Sequence, residues 1–333
     1  MKKRSTIIDV ANLAGVSIAT VSYVLNNTKT VKPATKRKVL LAIKELNYIP
    51  NTLAKSLKGH QTKIVGLLIS NIANPFFPPI VRGLDNYLLS KGYNTLLSET
   101  HNNVEVEKAQ LRALLERRID ALAVSLALDE VEHFSNLNIP LLFFNRVPQG
   151  DTFNKVTFDA FKGAYIASKH LVQHNYKNIA LIVGPKELST AEHRLSGFKK
   201  ALEEGGIPIK KEYIKEEEFT FEAGYKAAEE LMSLHTPPDA IFASNYDFSI
   251  GALKYLKEHN YKIPQDVALI GYDEEPWADL IESPLTLVKY PLTEAGEAIG
   301  KRIVELLEAK EFKEAKELSF EPTLVIRKSC GCQ

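Results

Sequence analysis

Apolar and polar positions follow two rhythms along this chain, and the change falls near residue 62. Before it, apolar residues recur at helical spacing in short stretches. Ile8 to Leu13 predicts a first helix, with Asp9 in its opening turn. Ser17 to Leu25 predicts a second, with Ser17 as N-cap and Val21, Val24 and Leu25 at helix spacing. A third starts near Pro33, a residue suited to a first helical turn, and carries the stripe Val39, Ile43 and Leu46 behind Lys36, Arg37 and Lys38. Ala11 is small where the second helix would cross above it, and Gly15 supplies the turn's backbone angles. Two short helices joined in this way form a helix-turn-helix, whose second helix is held out as a probe for a DNA major groove.

The stretch "YIPNTLAKSLKG" (Tyr48–Gly59) predicts a further short helix, started after Pro50 by Asn51 and ended by Gly59. A helix needs about 12–15 residues to be stable alone, so this one depends on something outside itself to bury Leu53 and Leu57.

From Lys63 onward, apolar strands alternate with amphipathic helices. The strands are "IVGLLIS" (64–70), "YNTLLSE" (93–99), "IDALAVSL" (119–126), "IPLLFFN" (139–145), "IALIVGP" (179–185), "PDAIFASN" (238–245), "VALIGYD" (267–273) and "LTLVKY" (285–290). Uninterrupted apolar strands between helices imply parallel sheets buried on both faces. Eight such units exceed one comfortable sheet, so an α/β core of two lobes is expected, in similar halves at 62–160 and 161–290. A last helix at 293–308 and a strand around Leu318–Val325 are expected to cross back between the lobes. Ligands of such folds bind beyond the C-terminal strand ends, in the cleft between lobes.

Charge sharpens the division. The first 60 residues carry eleven Lys/Arg against two acids, a net +9, while the rest of the 333-residue chain is net −8. A basic head on an acidic body is suited to meet a polyanion. No run of eighteen apolar residues is present, and Met1-Lys2-Lys3-Arg4 leads into no apolar secretory core, so a cytoplasmic protein with no membrane partner is expected. Cys330 and Cys332 are the only cysteines, and they read as reduced thiols of a tail with no His/Cys cluster nearby in sequence, so no metal site is expected. G-x-x-x-x-G-K-[ST], G-x-G-x-x-G, G-x-S-x-G and H-E-x-x-H are all absent, so neither an enzyme nor a cofactor is expected.

With "TIIDVANLAGVSIATVSYVLNN", "YIPNTLAKSLKG", "GLLISNIANPFF", "DAFKGAYIASKHL", "RLSGFKKALEE", "IGYDEEPWADL", "SPLTLVKYP" and "LVIRKSCG", the chain resembles the LacI/GalR family of bacterial transcriptional repressors over essentially its whole length. The resemblance implies a helix-turn-helix domain at 1–50, a hinge helix or linker at 51–61, and a periplasmic-binding-protein-like core at 62–333. One core lobe would take about 62–160 and 291–320, the other about 161–290 and 321–333. It implies a homodimer or dimer of dimers on a pseudo-palindromic, double-stranded DNA operator. It also implies a core that senses a small molecule, most often a sugar or sugar derivative, as inducer or corepressor.

In the head, the resemblance points Ile18, Ala19 and Tyr23 at the bases, and suits Ser17, Thr20, Ser22 and Asn26 to phosphates. Ile18 and Ala19 would either read a thymine methyl or pack. Tyr23 stands where many relatives carry arginine. Leu57 matches the leucine that wedges into the minor groove, with Lys58 beside it. In the core, Phe76, Phe77, Asn145, Arg146, Asp159, Arg194, Phe219, Asn245 and Asp273 are expected to line the cleft. Arg194 and Asp273 are open to rival readings, as a helix-surface ion pair and an N-cap. Relatives often have Asn-Asp where this chain has Asn245-Tyr246, which leaves Asp247 without a clear counterpart. Trp277, the only tryptophan, would either stack on a sugar ring or pack its own lobe.

Overall fold

The computed structural model describes residues 5–26, 28–48, 61–273, 276–309 and 314–332. The chain divides into two compact units, Met1–Thr62 and Lys63–Gln333.

The first unit holds α1 (Ile7–Ala14), α2 (Ile18–Asn26) and α3 (Pro33–Glu45). Helix α1 opens on a capping box, in which Thr6 accepts from the Asp9 N–H and the Asp9 carboxylate accepts from the Thr6 N–H. It ends on Gly15 in the left-handed region, φ 66°, which lets the chain turn through 104° into α2. Ser17 caps α2 by accepting from the Thr20 N–H at 3.2 Å. Val10, Ala11, Ala14, Val21, Val24, Val39 and Ala42 form the buried core, and the small Ala11 and Ala14 let the helices approach closely. Pro33 opens α3, where its missing N–H costs nothing.

The second unit contains two six-stranded sheets. The first is ordered β2 (Asn94–Glu99), β1 (Ile64–Ile69), β3 (Ala121–Val124), β4 (Leu141–Phe144), β5 (Asn154–Phe158) and β11 (Glu317–Phe320), all parallel. The second is ordered β7 (Ile214–Glu216), β6 (Ile179–Val183), β8 (Ala240–Ala243), β9 (Ala268–Tyr272), β10 (Thr286–Lys289) and β12 (Thr323–Val325). Among the described residues, its one antiparallel pair is β10 with β12. The two sheets share one winding order, so the repeat that is faint in sequence is plain in topology.

Burial on both faces explains the continuous apolar runs. In β1, Val65, Leu67 and Ile69 face the cluster under α4 (Phe77–Ser90) and α10 (Leu292–Leu307), while Leu68 faces α5 (Val104–Glu116). In the second sheet, α6 (Ala160–Gln173) and α7 (Ser189–Glu204) cover one face, and α8 (Phe221–Met232) and α9 (Tyr246–Glu258) the other.

The structure departs from the sequence-based expectation in its connections. β5 and β7 were not expected. β7 has only three residues, and β5, "NKVTF", lacks the apolar run of its neighbours. The strand expected around Leu318–Val325 is two strands, because the chain leaves one sheet at Phe320 and joins the other at Thr323. With the passages from β5 into α6 and from β10 into α10, this makes three crossings between the lobes among the described residues. They are bound to one another: Tyr290 donates to the Asp159 carbonyl at 2.9 Å, and Phe158 packs edge-on to Tyr290 and stacks near Phe320.

Candidate functional site: a probe helix and an interlobe cleft

In the head, the start of α2 is presented to solvent. Ser17 and Ala19 are exposed, and Ile18 is 47% exposed although it is apolar. Thr20 lies 2.9 Å from the Ser17 hydroxyl, and Asn26 donates to the Ser22 hydroxyl at 3.2 Å. Tyr23, half-buried, has the Lys29 ammonium 5.0 Å above its ring. Leu57 and Lys58 lie outside the described residues.

In the core, a cleft of about 570 Å³, open to solvent, lies at the C-terminal ends of both sheets. From the first lobe come Phe76 and Phe77 at the start of α4, and Asn145 and Arg146 after β4. From the second come Arg194 on α7, Phe219 after β7, Asn245 at the start of α9 and Asp273 after β9. Asn145 and Asp273 both adopt left-handed backbone, φ 62° and 64°, which turns the chain sharply off each strand end. Asn and Asp are among the residues that tolerate this. Asn245 also caps α9, accepting from the Phe248 N–H at 2.8 Å.

Dedicated polar contacts support the charged groups. Arg146 is 6% exposed and donates to the Asn102 side chain at 2.7 Å and the Ala127 carbonyl at 2.9 Å. The Ala127 loop is itself pinned by Glu107, a fully buried carboxylate that accepts from the Ala127 N–H at 2.7 Å and contacts His133 at 2.9 Å. Burial, followed by the like charge of Arg194, pulls Arg146 down to about 10, where it is still a cation at neutral pH. The Arg194 guanidinium lies 4.4 Å over the Tyr272 ring. The Nε atoms of both arginines are buried, with no hydrogen-bond partner among the described residues. A buried unsatisfied donor costs about 1–3 kcal/mol.

The lobes also touch across the cleft. Asp129, in the loop after β3, accepts from the Ser189 N–H at 3.0 Å and from its hydroxyl at 3.3 Å, capping α7 from the opposite lobe. The Arg146 guanidinium sits 5.7 Å from the Phe219 ring centre. Gly184 makes room for that ring: a Cβ there would lie 2.1 Å from Phe219.

The family described as "Bacterial regulatory proteins, lacI family" matches residues 6–51, and the "Periplasmic binding protein-like domain" matches residues 168–330. The HTH-type transcriptional repressor PurR of Proteus mirabilis is 35% identical over 331 residues, covering 98% of this chain and 96% of its own. The protein of the same name in Photobacterium profundum is 34% identical, covering 98% of each chain. The chain belongs to the LacI family of bacterial transcriptional repressors. Among solved structures, the lac repressor dimer bound to operator and the anti-inducer ONPF is similar at TM-score 0.85 and 28% identity, over 98% of this chain and 99% of that one. A transcriptional regulator CelR–cellobiose complex is similar at TM-score 0.74 and 29% identity, over 98% of this chain and 100% of that one. Membership of this family sets the chain among DNA-binding regulators rather than α/β enzymes.

Two residues expected in this repressor's cleft are not among those that line it. Asp159 caps α6 instead, its carboxylate accepting from the Lys162 N–H at 2.8 Å, because the chain crosses between lobes at that point. Trp277 packs on the second lobe's core, edge-on to Tyr246 at 6.4 Å. Its indole N–H is buried without a hydrogen-bond partner among the described residues. Conversely, Asp247 does line the cleft. Burial, with help from Glu222, raises its pKa. Ser70, Asn71 and Asn74 after β1, Asn102 after β2 and Thr190 on α7 also line it and were not expected. All but Thr190 are polar loop residues, and only Ser70, Asn71 and Asn74 fall inside a quoted motif. Their other sequence signal is a position at or shortly after the end of a predicted strand.

Proposed function

We propose that this LacI-family repressor binds a pseudo-palindromic operator as a homodimer in the cytoplasm, and that a polyhydroxylated small molecule in the cleft controls its operator affinity. In the head, Ile18, Ala19 and Tyr23 meet base edges, while Ser17, Thr20, Ser22 and Asn26 meet phosphates. Leu57 and Lys58 complete the contact from the hinge, in the minor groove.

What carries the ligand reading is the pair of arginines, Arg146 and Arg194, that line the cleft from facing lobes, together with the amide and carboxylate side chains around them. A sugar or sugar acid offers hydroxyl and carboxylate acceptors to the arginines and hydroxyl donors to Asp247 and Asp273. Phe219 favours a second reading, a flat heterocycle such as a nucleobase stacked on its ring. A ligand that touches both lobes favours the closed arrangement, and closure parts the hinge segments of the dimer.

The test is a thermal-shift screen of sugars, sugar acids, sugar phosphates and nucleobases, followed by gel shift on DNA upstream of the gene. A ligand at 100 times its Kd raises stability by about 2.7 kcal/mol. The expected outcome is one stabilising class, which then changes operator affinity in a salt-dependent gel shift. Stabilisation by nucleobases alone replaces the sugar reading. No specific upstream DNA complex, with or without ligand, overturns the regulatory one.

A further inference from the structure

We propose that His170, His174, Cys330 and Cys332 form a Cys2His2 site for zinc(II) that staples the C-terminal tail to the end of α6. The fold brings together donors 158 to 162 residues apart in sequence. His170 and His174 are four apart at the end of α6, so they project from one face as an H-x3-H pair. Cys330 and Cys332 arrive from the tail beyond β12. His170 Nε2 lies 3.2 Å from Cys330 Sγ and 3.5 Å from Cys332 Sγ, and His174 Nε2 lies 3.1 Å from Cys332 Sγ. Donor atoms of His170, Cys330 and Cys332 all fall within 4.8 Å of one another, the one such group among the described residues. Zinc bonds of about 2.3 Å to sulfur and 2.0–2.1 Å to nitrogen, arranged tetrahedrally, place neighbouring S and N ligands about 3.5 Å apart. The three S–N spacings above are within a few tenths of an ångström of that; His174 Nε2 reaches Cys332 but stands outside the 4.8 Å group, and its exposed ring would turn inward to take the fourth position.

The surroundings suit a metal as well as the donors do. The His170 carbonyl accepts from His174 Nδ1 at 2.8 Å, which leaves the Nε2 lone pair facing Cys332. The Thr286 hydroxyl donates to Cys330 Sγ at 3.1 Å, and the Tyr176 hydroxyl donates to the Cys330 carbonyl at 3.1 Å, so the sulfur is held in place. Each thiol that binds zinc(II) releases its proton to solvent. Cys332 is half-buried and His174 exposed, so the cation has a path in.

The test is cobalt(II) titration of the full-length, reduced protein, with zinc(II) competition. A tetrahedral cobalt spectrum with a sulfur-to-cobalt charge-transfer band, one ion per chain and displaced by zinc, is the expected result. Cys332→Ser should weaken the charge-transfer band by about half, since one of two sulfur ligands is lost, and His174→Ala should weaken cobalt binding by about tenfold or more. Zinc should raise the melting temperature of the parent protein but not of folded Cys332→Ser. An octahedral or absent cobalt spectrum, or unchanged affinity in either variant, overturns the proposal.

Discussion

The two lobes share a strand order but bring different chemistry to the cleft. The first lobe offers mostly neutral groups, namely Ser70, Asn71, Asn74, Asn102 and Asn145, around a single charge, Arg146. The second offers opposed charges, Arg194 against Asp247 and Asp273, beside the Phe219 ring. Charged hydrogen bonds are worth about 1.5–3 kcal/mol and neutral ones about 0.5–1.5 kcal/mol. For the ligand we propose, the second lobe is therefore the better anchor, with the first closing over it. Topology alone does not assign these roles; the residues placed at equivalent strand ends do.

This contrast can be broken most directly at Arg194. Arg194→Ala should weaken effector binding about 100-fold, or about 2.7 kcal/mol, in calorimetry, while the core stays folded. Binding that survives unchanged would move the anchor to the first lobe. Next in size is the contact that joins the lobes. Asp129→Ala removes the cap on α7, worth about 1 kcal/mol, and should weaken effector binding about fivefold by favouring the open cleft. Unaltered affinity would show that closure does not depend on that cap. Smaller still is Asn71→Ala, expected to weaken binding about threefold, because it removes one neutral group from the closing lobe. A loss as large as that of Arg194→Ala would erase the distinction between lobes.

The smallest effect is a pH dependence. Asp247 has a raised pKa because burial disfavours its carboxylate. A ligand that donates to the ionised form should lose affinity as pH falls through this raised pKa, at higher pH than for an ordinary aspartate. Asp247→Asn should flatten that part of the binding profile measured by calorimetry. An identical profile in the variant would remove Asp247 from the ligand's partners.

Much of the head was legible because its signals are local. Ser17, Gly15 and Pro33 act on the turn they occupy, so cap, hinge and helix start follow from residue type. The strands of the core were legible for a related reason: burial on both faces demands continuous apolar runs. Cleft residues that follow those runs in a known pattern, such as Arg194 and Asp273, could be named. Asp159 and Trp277, which do not line the cleft, could not be placed from sequence, because their neighbours do not reveal which of several packing partners wins.

By itself, the sequence determined the helix-turn-helix, the alternation of strands and helices, the basic head on an acidic body and the family. Each of these rests on periodicity, composition or short-range geometry, which are properties of the unfolded string as much as of the fold. The tertiary structure alone decided that Asp129 would cap a helix of the opposite lobe, that Tyr290 would bind the Asp159 carbonyl, and that two tail cysteines would meet two histidines of α6. These contacts join residues 60, 131 and about 160 positions apart. No local propensity encodes such pairings; they exist because the two sheets must pack their helices and exchange three crossings, and that packing sets which distant side chains share a few ångströms of space.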